Sequence, residues 1–202
     1  MVLFFSKVMS SIIEIILVTL IPFVWWLVTE RKHQKFTQWI GIKKISGDKN
    51  KTILATAVVS VVFILLGAGA LYGLRGIETA VSEFEGMGIS ALPAIFVYAV
   101  FNTAFPEELF FRGFLLKRIS GKFGFAVGNA VQAILFALLH GIMFISLAGA
   151  MKTMLIAVIT GAVAYSMGYI NEKYADGSII PGWIIHALSN VFSGICSAFM
   201  LI

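Results

Sequence analysis

Charged side chains are scarce in this chain. Asp, Glu, Lys and Arg make up 12% of its 202 residues, about half the roughly 25% usual in a soluble domain. With 59% hydrophobic residues, that scarcity excludes a water-exposed globular domain and leaves an integral membrane protein. Cysteine is nearly absent: Cys196 stands alone in an apolar run, so no intramolecular disulfide can form. No H-E-x-x-H occurs, which excludes a standard zincin. No G-x-S-x-G occurs either, and Cys196 has no catalytic neighbour in sequence, which argues against a covalent nucleophile. There is no internal repeat, low-complexity tract or interdomain linker, so the chain reads as one membrane domain over residues 1–202. The apolar run after Lys7 lacks a small-residue cleavage site and is expected to be a retained first span.

What is present is a series of long apolar runs. They predict an all-α, polytopic transmembrane bundle of about six spans at roughly 20 residues each. The spans fall near 2–28, 52–74, 90–116, 123–147, 151–170 and 178–200. Arg31, Lys32, Lys35, Lys43, Lys44, Lys49 and Lys51 crowd the first connection. This concentration of the +5 net charge predicts a cytoplasmic loop with both termini outside. It speaks to topology and anionic lipid, not to nucleic acid. His33 lies among these charges and reads as a solvated loop residue. Gly69 and Gly73 form a small-xxx-small pair, expected to admit another helix closely.

The third run contains Phe105-Pro106-Glu107-Glu108-Leu109-Phe110-Phe111-Arg112. One charge at the centre of a membrane helix costs at least about 2.5–3.5 kcal/mol on insertion scales, and three stand within six residues here. Glu108 and Arg112 are four apart, so they share a helix face and can neutralise each other. Glu107 is rotated by about 100°, which assigns Glu107 to a cavity and Glu108 to Arg112, or the two in exchanged roles. Pro106 is expected to kink or break this span.

Two later spans carry histidines. Gln132, Phe136 and His140 line one helix face, and His186 precedes Asn190 by one turn. A glutamate with two histidines can ligate a divalent metal that activates water, zinc being the usual one. Alternatively, the glutamate acts on water directly as general base, with imidazoles moving protons. Asn190 offers a donor to a tetrahedral oxyanion. One measure fits poorly. Counted from Lys122, His140 falls too far outward to meet Glu107 and His186, unless the Lys122–Gly128 stretch is interfacial and its span begins later, as Gly121, Gly124 and Gly128 would allow, or the span boundaries lie elsewhere.

Glu107-Glu108-x-x-x-Arg112, Phe136-x-x-x-His140 and His186-x-x-x-Asn190, in that order, resemble the three motifs of the type II CAAX prenyl protease and bacteriocin-processing family, also called the Abi family. The resemblance runs over about 90–200. It implies an intramembrane endopeptidase in a multi-pass cell membrane protein, with a plasma membrane of bacterial type expected. Its substrate would be a membrane-associated peptide or protein. It implies that Glu107 activates water, that His140 and His186 are the catalytic histidines, and that Asn190 steadies the oxyanion. Glu108 completes the catalytic set and Arg112 supports it. A metal, if one takes part, would sit on Glu107, His140 and His186. The resemblance leaves prenyl-protein processing, bacteriocin maturation and self-immunity open as settings, and oligomeric state undefined. Two other readings compete: a non-catalytic membrane immunity or binding protein of the same fold, and a proton-coupled transporter built on Glu and His. Against the transporter stand the lack of an inverted repeat and the single clear helix break.

Overall fold

A computed structural model describes residues 1–202, and the chain is helical throughout with no β-strand. α1 is Val2–Thr29 and the short α2 is Phe36–Ile40. α3 is Lys49–Gly73, opened by Asp48, whose side chain accepts the Lys51 amide N–H. α4 runs over Gly88–Phe123. The next helical stretch, Phe125–Tyr174, contains one non-helical residue, Gly149, at φ 75° and ψ 165°. L-residues rarely adopt such a φ, and the chain reverses there. The arms on either side are α5 (residues 125–148) and α6 (residues 150–174). They pack antiparallel, as Asn129 Nδ2 donates to Tyr165 O at 3.0 Å and Gln132 Nε2 to Ala164 O at 3.1 Å. α7 is Ile180–Ala198, with Pro181 in its first turn. Four helical stretches are long and apolar enough to cross a membrane. With the last of them folded into α5 and α6, and α7 beside it, the bundle has six long helices.

α4 is the centre of the bundle. Three of the four buried apolar clusters draw on it: Ala91–Ala99 against Val81, Phe84 and Ala198; Leu109 and Phe114 against Trp39 and Ile40; Phe111 against Ala133, Phe136 and Ala164. α1 and α3 lie outside it and expose large apolar side chains along most of their length, as a lipid solvent requires.

The basic connection folds back on the α6–α7 turn. Ser178 Oγ donates to Lys43 O, Ile179 N to Gly41 O, and Lys117 pairs with Glu172 and with Gly177 O. At the opposite end Lys7 pairs with Glu83, and Lys152 reaches Gly73 O. Basic and opposite ends are thus each closed by their own polar contacts.

Pro106, expected to kink or break its span, leaves α4 unbroken. The backbone widens instead into π-helical turns at Tyr98–Ala104 and Leu109–Leu116, on either side of Phe105–Glu108. A wider turn relieves the clash between a proline ring and the carbonyl four residues back. The Lys122–Gly128 stretch, expected to be interfacial, is helical on both sides of Gly124. α4 continues as helix past Lys117 to Phe123, only Gly124 leaves helical geometry, and α5 starts at Phe125. Glu107 lies seventeen residues before Gly124 and His140 sixteen after it, so the two stand at matching depth. Gly69 and Gly73 have nothing within 4 Å of where a Cβ would sit, so the pair admits no helix of this chain.

Candidate active site

Glu107 and Glu108 are adjacent in sequence and opposite in environment. Glu108 is fully buried, while 31% of the Glu107 side chain is exposed. Glu108 Oε1 lies 2.8 Å from Arg112 Nη1 and 3.2 Å from His186 Nδ1. The Arg112 contact is an ion pair rather than an aligned hydrogen bond, because none of its guanidinium nitrogens has an acceptor along its N–H direction. Arg112 also lies over the Phe136 ring, 4.5 Å from guanidinium carbon to ring centroid. Close approach of Glu108 depends on Gly182 in the first turn of α7, where a Cβ would fall 2.6 Å from Glu108 Oε2. The start of α7 is held by Asn171, which is fully buried and accepts the Gly182 N–H at 3.0 Å. That bond satisfies one of the four amides a helix start leaves unpaired.

This arrangement fixes the imidazoles. A carboxylate only accepts, so His186 Nδ1–H donates to Glu108, and in the neutral ring Nε2 keeps a lone pair. That Nε2 lies 3.8 Å from Glu107 Oε2, which is enclosed and has no partner in the protein. Two acceptors at this spacing are bridged by a donor of water size. His140 Nδ1 is 2.9 Å from Phe136 O and by the same logic donates to it, so its Nε2 is also an acceptor. The Phe136 ring packs near both, with centroids 4.4 Å from His140 and 5.9 Å from His186. His140 is within charge range of Glu107 and of His186 without touching either.

Of the six residues singled out in the sequence, Glu107, Glu108, Arg112 and His186 thus form one contact chain, and His140 joins it through Phe136. Asn190 lies one turn beyond His186 and donates from Nδ2 to Thr103 Oγ1 at 2.7 Å. Carboxylate and imidazole suit a divalent cation as donor types. In this arrangement, however, no three His, Cys, Asp or Glu side chains gather closely enough to hold one, Glu107, His140 and His186 included.

Sequence reasoning missed a second polar layer. Asn102 Nδ2 donates to Glu14 Oε2 at 2.6 Å, and Ser10 Oγ donates to Asn102 Oδ1 at 3.2 Å. Trp183 Nε1 donates to Val100 O at 2.8 Å. Lys7, Ser10, Ser11 and Glu14 recur at helical spacing on one face of α1, a signal that could have paired α1 with a polar partner. Nothing in the sequence marks Thr103 or Asn171.

Comparison with known proteins rests on one match. The model of the family described as type II CAAX prenyl endopeptidase Rce1-like matches residues 89–192, just over half of the chain. That stretch holds every residue of the contact chain above. No curated protein and no solved structure matches. The buried Glu–Arg–His chain is therefore set in a matched core, and this multi-pass membrane protein belongs to the type II CAAX prenyl endopeptidase Rce1-like family of intramembrane endopeptidases.

Proposed function

We propose that the chain hydrolyses a peptide bond in a membrane-associated peptide or protein, with water activated by Glu107. The observation that carries this reading is Glu107 Oε2, enclosed and without a hydrogen-bond partner, 3.8 Å from His186 Nε2. A water donating to both presents its oxygen lone pair to a substrate carbonyl. Glu107 takes the first proton as the carbon–oxygen bond forms. The carbonyl oxygen becomes an oxyanion, stabilised by the Asn190 amide N–H. Collapse breaks the carbon–nitrogen bond, and the proton held by Glu107 or an imidazole passes to the leaving amine. Glu108 acts on His186 by holding its Nδ1–H, and Arg112 neutralises Glu108. His140, packed on Phe136, is the second proton carrier.

Substrate enters from the basic end, the cytoplasmic side by the distribution of lysine and arginine. The whole chain works as one membrane domain in a bacterial plasma membrane, since α1 lies outside the matched stretch yet bonds to Asn102 within it.

The test is turnover of an internally quenched peptide library by purified protein in proteoliposomes. Glu107→Gln is nearly isosteric and is expected to remove cleavage by at least about 1,000-fold, in line with loss of a general base acting in concert with other groups. Near wild-type turnover in that variant would refute the mechanism. Treatment with a chelator, followed by zinc, reads out metal dependence separately.

A further inference from the structure

The π-helical turn Tyr98–Ala104 borders the reacting groups without supplying one of them. A change between α and π registers leaves backbone carbonyls short of their usual partners, and such turns recur at functional sites. Three residues of this turn bond sideways: Val100 O accepts from Trp183, Asn102 bonds Glu14 and Ser10, and Thr103 Oγ1 accepts from Asn190. The first two tie helices together. The third touches the residue to which the proposed reaction assigns the oxyanion.

Thr103 Oγ1 lies 3.1 Å from Tyr98 O and 3.3 Å from Ala99 O. A hydroxyl has one proton and a carbonyl can only accept, so that proton is committed to the backbone of the π-helical turn. Toward Asn190 the oxygen offers lone pairs alone. This selects one of the two amide orientations of Asn190, with Nδ2 toward Thr103. The second N–H on Nδ2 makes no bond within the protein. Replacing the hydroxyl by a methyl group would leave the amide free to rotate, with its carbonyl and its NH2 alternating at the same place.

We propose that Thr103 is a positioning residue for peptide hydrolysis: its hydroxyl, locked onto the π-helical backbone, orients the Asn190 amide so that a free N–H meets the developing oxyanion. This rests on the reading of Asn190 as the oxyanion donor. A misoriented donor affects the transition state and leaves ground-state binding alone, so the effect falls on kcat and not on KM.

The experiment is a double-mutant cycle on the protein in proteoliposomes, with kcat and KM measured for a cleaved peptide. Asn190→Ala is expected to lower kcat by about 100- to 1,000-fold. Thr103→Val removes only the orienting bond and is expected to lower kcat by about tenfold, with KM within about twofold. Thr103→Ser keeps the hydroxyl and restores kcat to within about twofold of wild type. In the double variant, Thr103→Val adds nothing to Asn190→Ala, because there is no amide left to orient. If Thr103→Val folds poorly, Thr103→Ala closes the same cycle. Additive losses would show that Thr103 acts only structurally and would overturn the inference. So would an unchanged kcat in Thr103→Val beside a depressed Asn190→Ala, which leaves the oxyanion reading standing. An unchanged Asn190→Ala would remove that reading and the inference together.

Discussion

In α1 and α3, 6% of the most apolar window is buried inside the protein, against 33% in α4. The two outer helices follow regular α geometry, and their side chains answer mainly to lipid. Any large apolar residue satisfies that solvent, which is why their composition is so uniform. α4 answers to its neighbours. It departs from regular α register on both sides of Phe105–Glu108, and its polar groups point into the bundle. A backbone or side-chain polar group left unsatisfied in hydrocarbon costs several kcal/mol. Irregular backbone therefore survives only where other groups take up what it frees. Trp183 accordingly donates to Val100 O, and the Thr103 hydroxyl to Tyr98 O or Ala99 O. Regularity in the outer helices and irregularity in the inner one are the same rule applied to different surroundings.

The largest break in that contrast is at Arg112. Both members of the Arg112–Glu108 pair are fully buried. Breaking such a pair leaves an uncompensated charge and costs about 3–5 kcal/mol. Arg112→Leu is expected to lower folded yield and thermal midpoint in detergent as well as activity. A normal melting curve would mean that the pair is dispensable for the fold.

Next in size is Gly182. Its missing side chain lets Glu108 Oε2 and Asn171 Nδ2 approach, and a Cβ would meet them at 2.6 and 2.8 Å. Neither is the free end of a long flexible chain. Gly182→Ala is expected to cost about 1–3 kcal/mol as overpacking and to lower kcat by displacing Glu108 from His186. Gly69, on the outer helix α3, is the matching control, since nothing lies within 4 Å of its Cβ position. Gly69→Ala is expected to leave activity unchanged and to be neutral or stabilising by up to about 1 kcal/mol. If both alanines melted alike, the distinction between lipid-facing and inward-facing helices would fail.

These contrasts also explain what the sequence made legible. Spans and their order follow from runs of apolar residues, which membrane thickness selects directly, and all six fall close to where they were expected. Glu107, Glu108, Arg112, His140 and His186 stand out because charge and imidazole are rare in such runs. Thr103 and Asn171 are common residue types, and only the folded partners reveal what they do. Glu14 was visible as a charge in α1, yet its partner Asn102 sits 88 residues away. The mismatch in depth between His140 and Glu107 arose on the Glu107 side: Lys117 makes a lateral contact with Glu172 and Gly177, and α4 continues beyond it to Phe123. A basic residue signals an interface only when its charge reaches water.

The smallest expected effect concerns the basic end, where the comparison runs between buried and exposed ion pairs. Asp176 accepts from Ser46 Oγ at 2.7 Å and lies 3.4 Å from Lys43 Nζ. The Ser46 hydrogen bond, and then Lys43, hold its carboxyl below the ordinary value of 3.8. A depressed folded-state value means that the contribution is complete above pH 3.8 and is lost as pH falls through the lower folded value. The tie between the basic loop and the α6–α7 turn is therefore constant from pH 5 to pH 8 by about any measure of it. Asp176 also has φ 53°, a left-handed conformation that Asn tolerates as readily as Asp. Asp176→Asn removes the charge while leaving the backbone preference and an acceptor for Ser46. Because the site is open to solvent and screened by salt, the thermal midpoint at pH 7 is expected to stay unchanged. The difference should emerge only in acid: proteolytic nicking of the Arg31–Lys44 stretch should rise below pH 3.8 in the wild type, while the variant shows no such step. An equal step in both proteins would assign the acid sensitivity to another carboxylate.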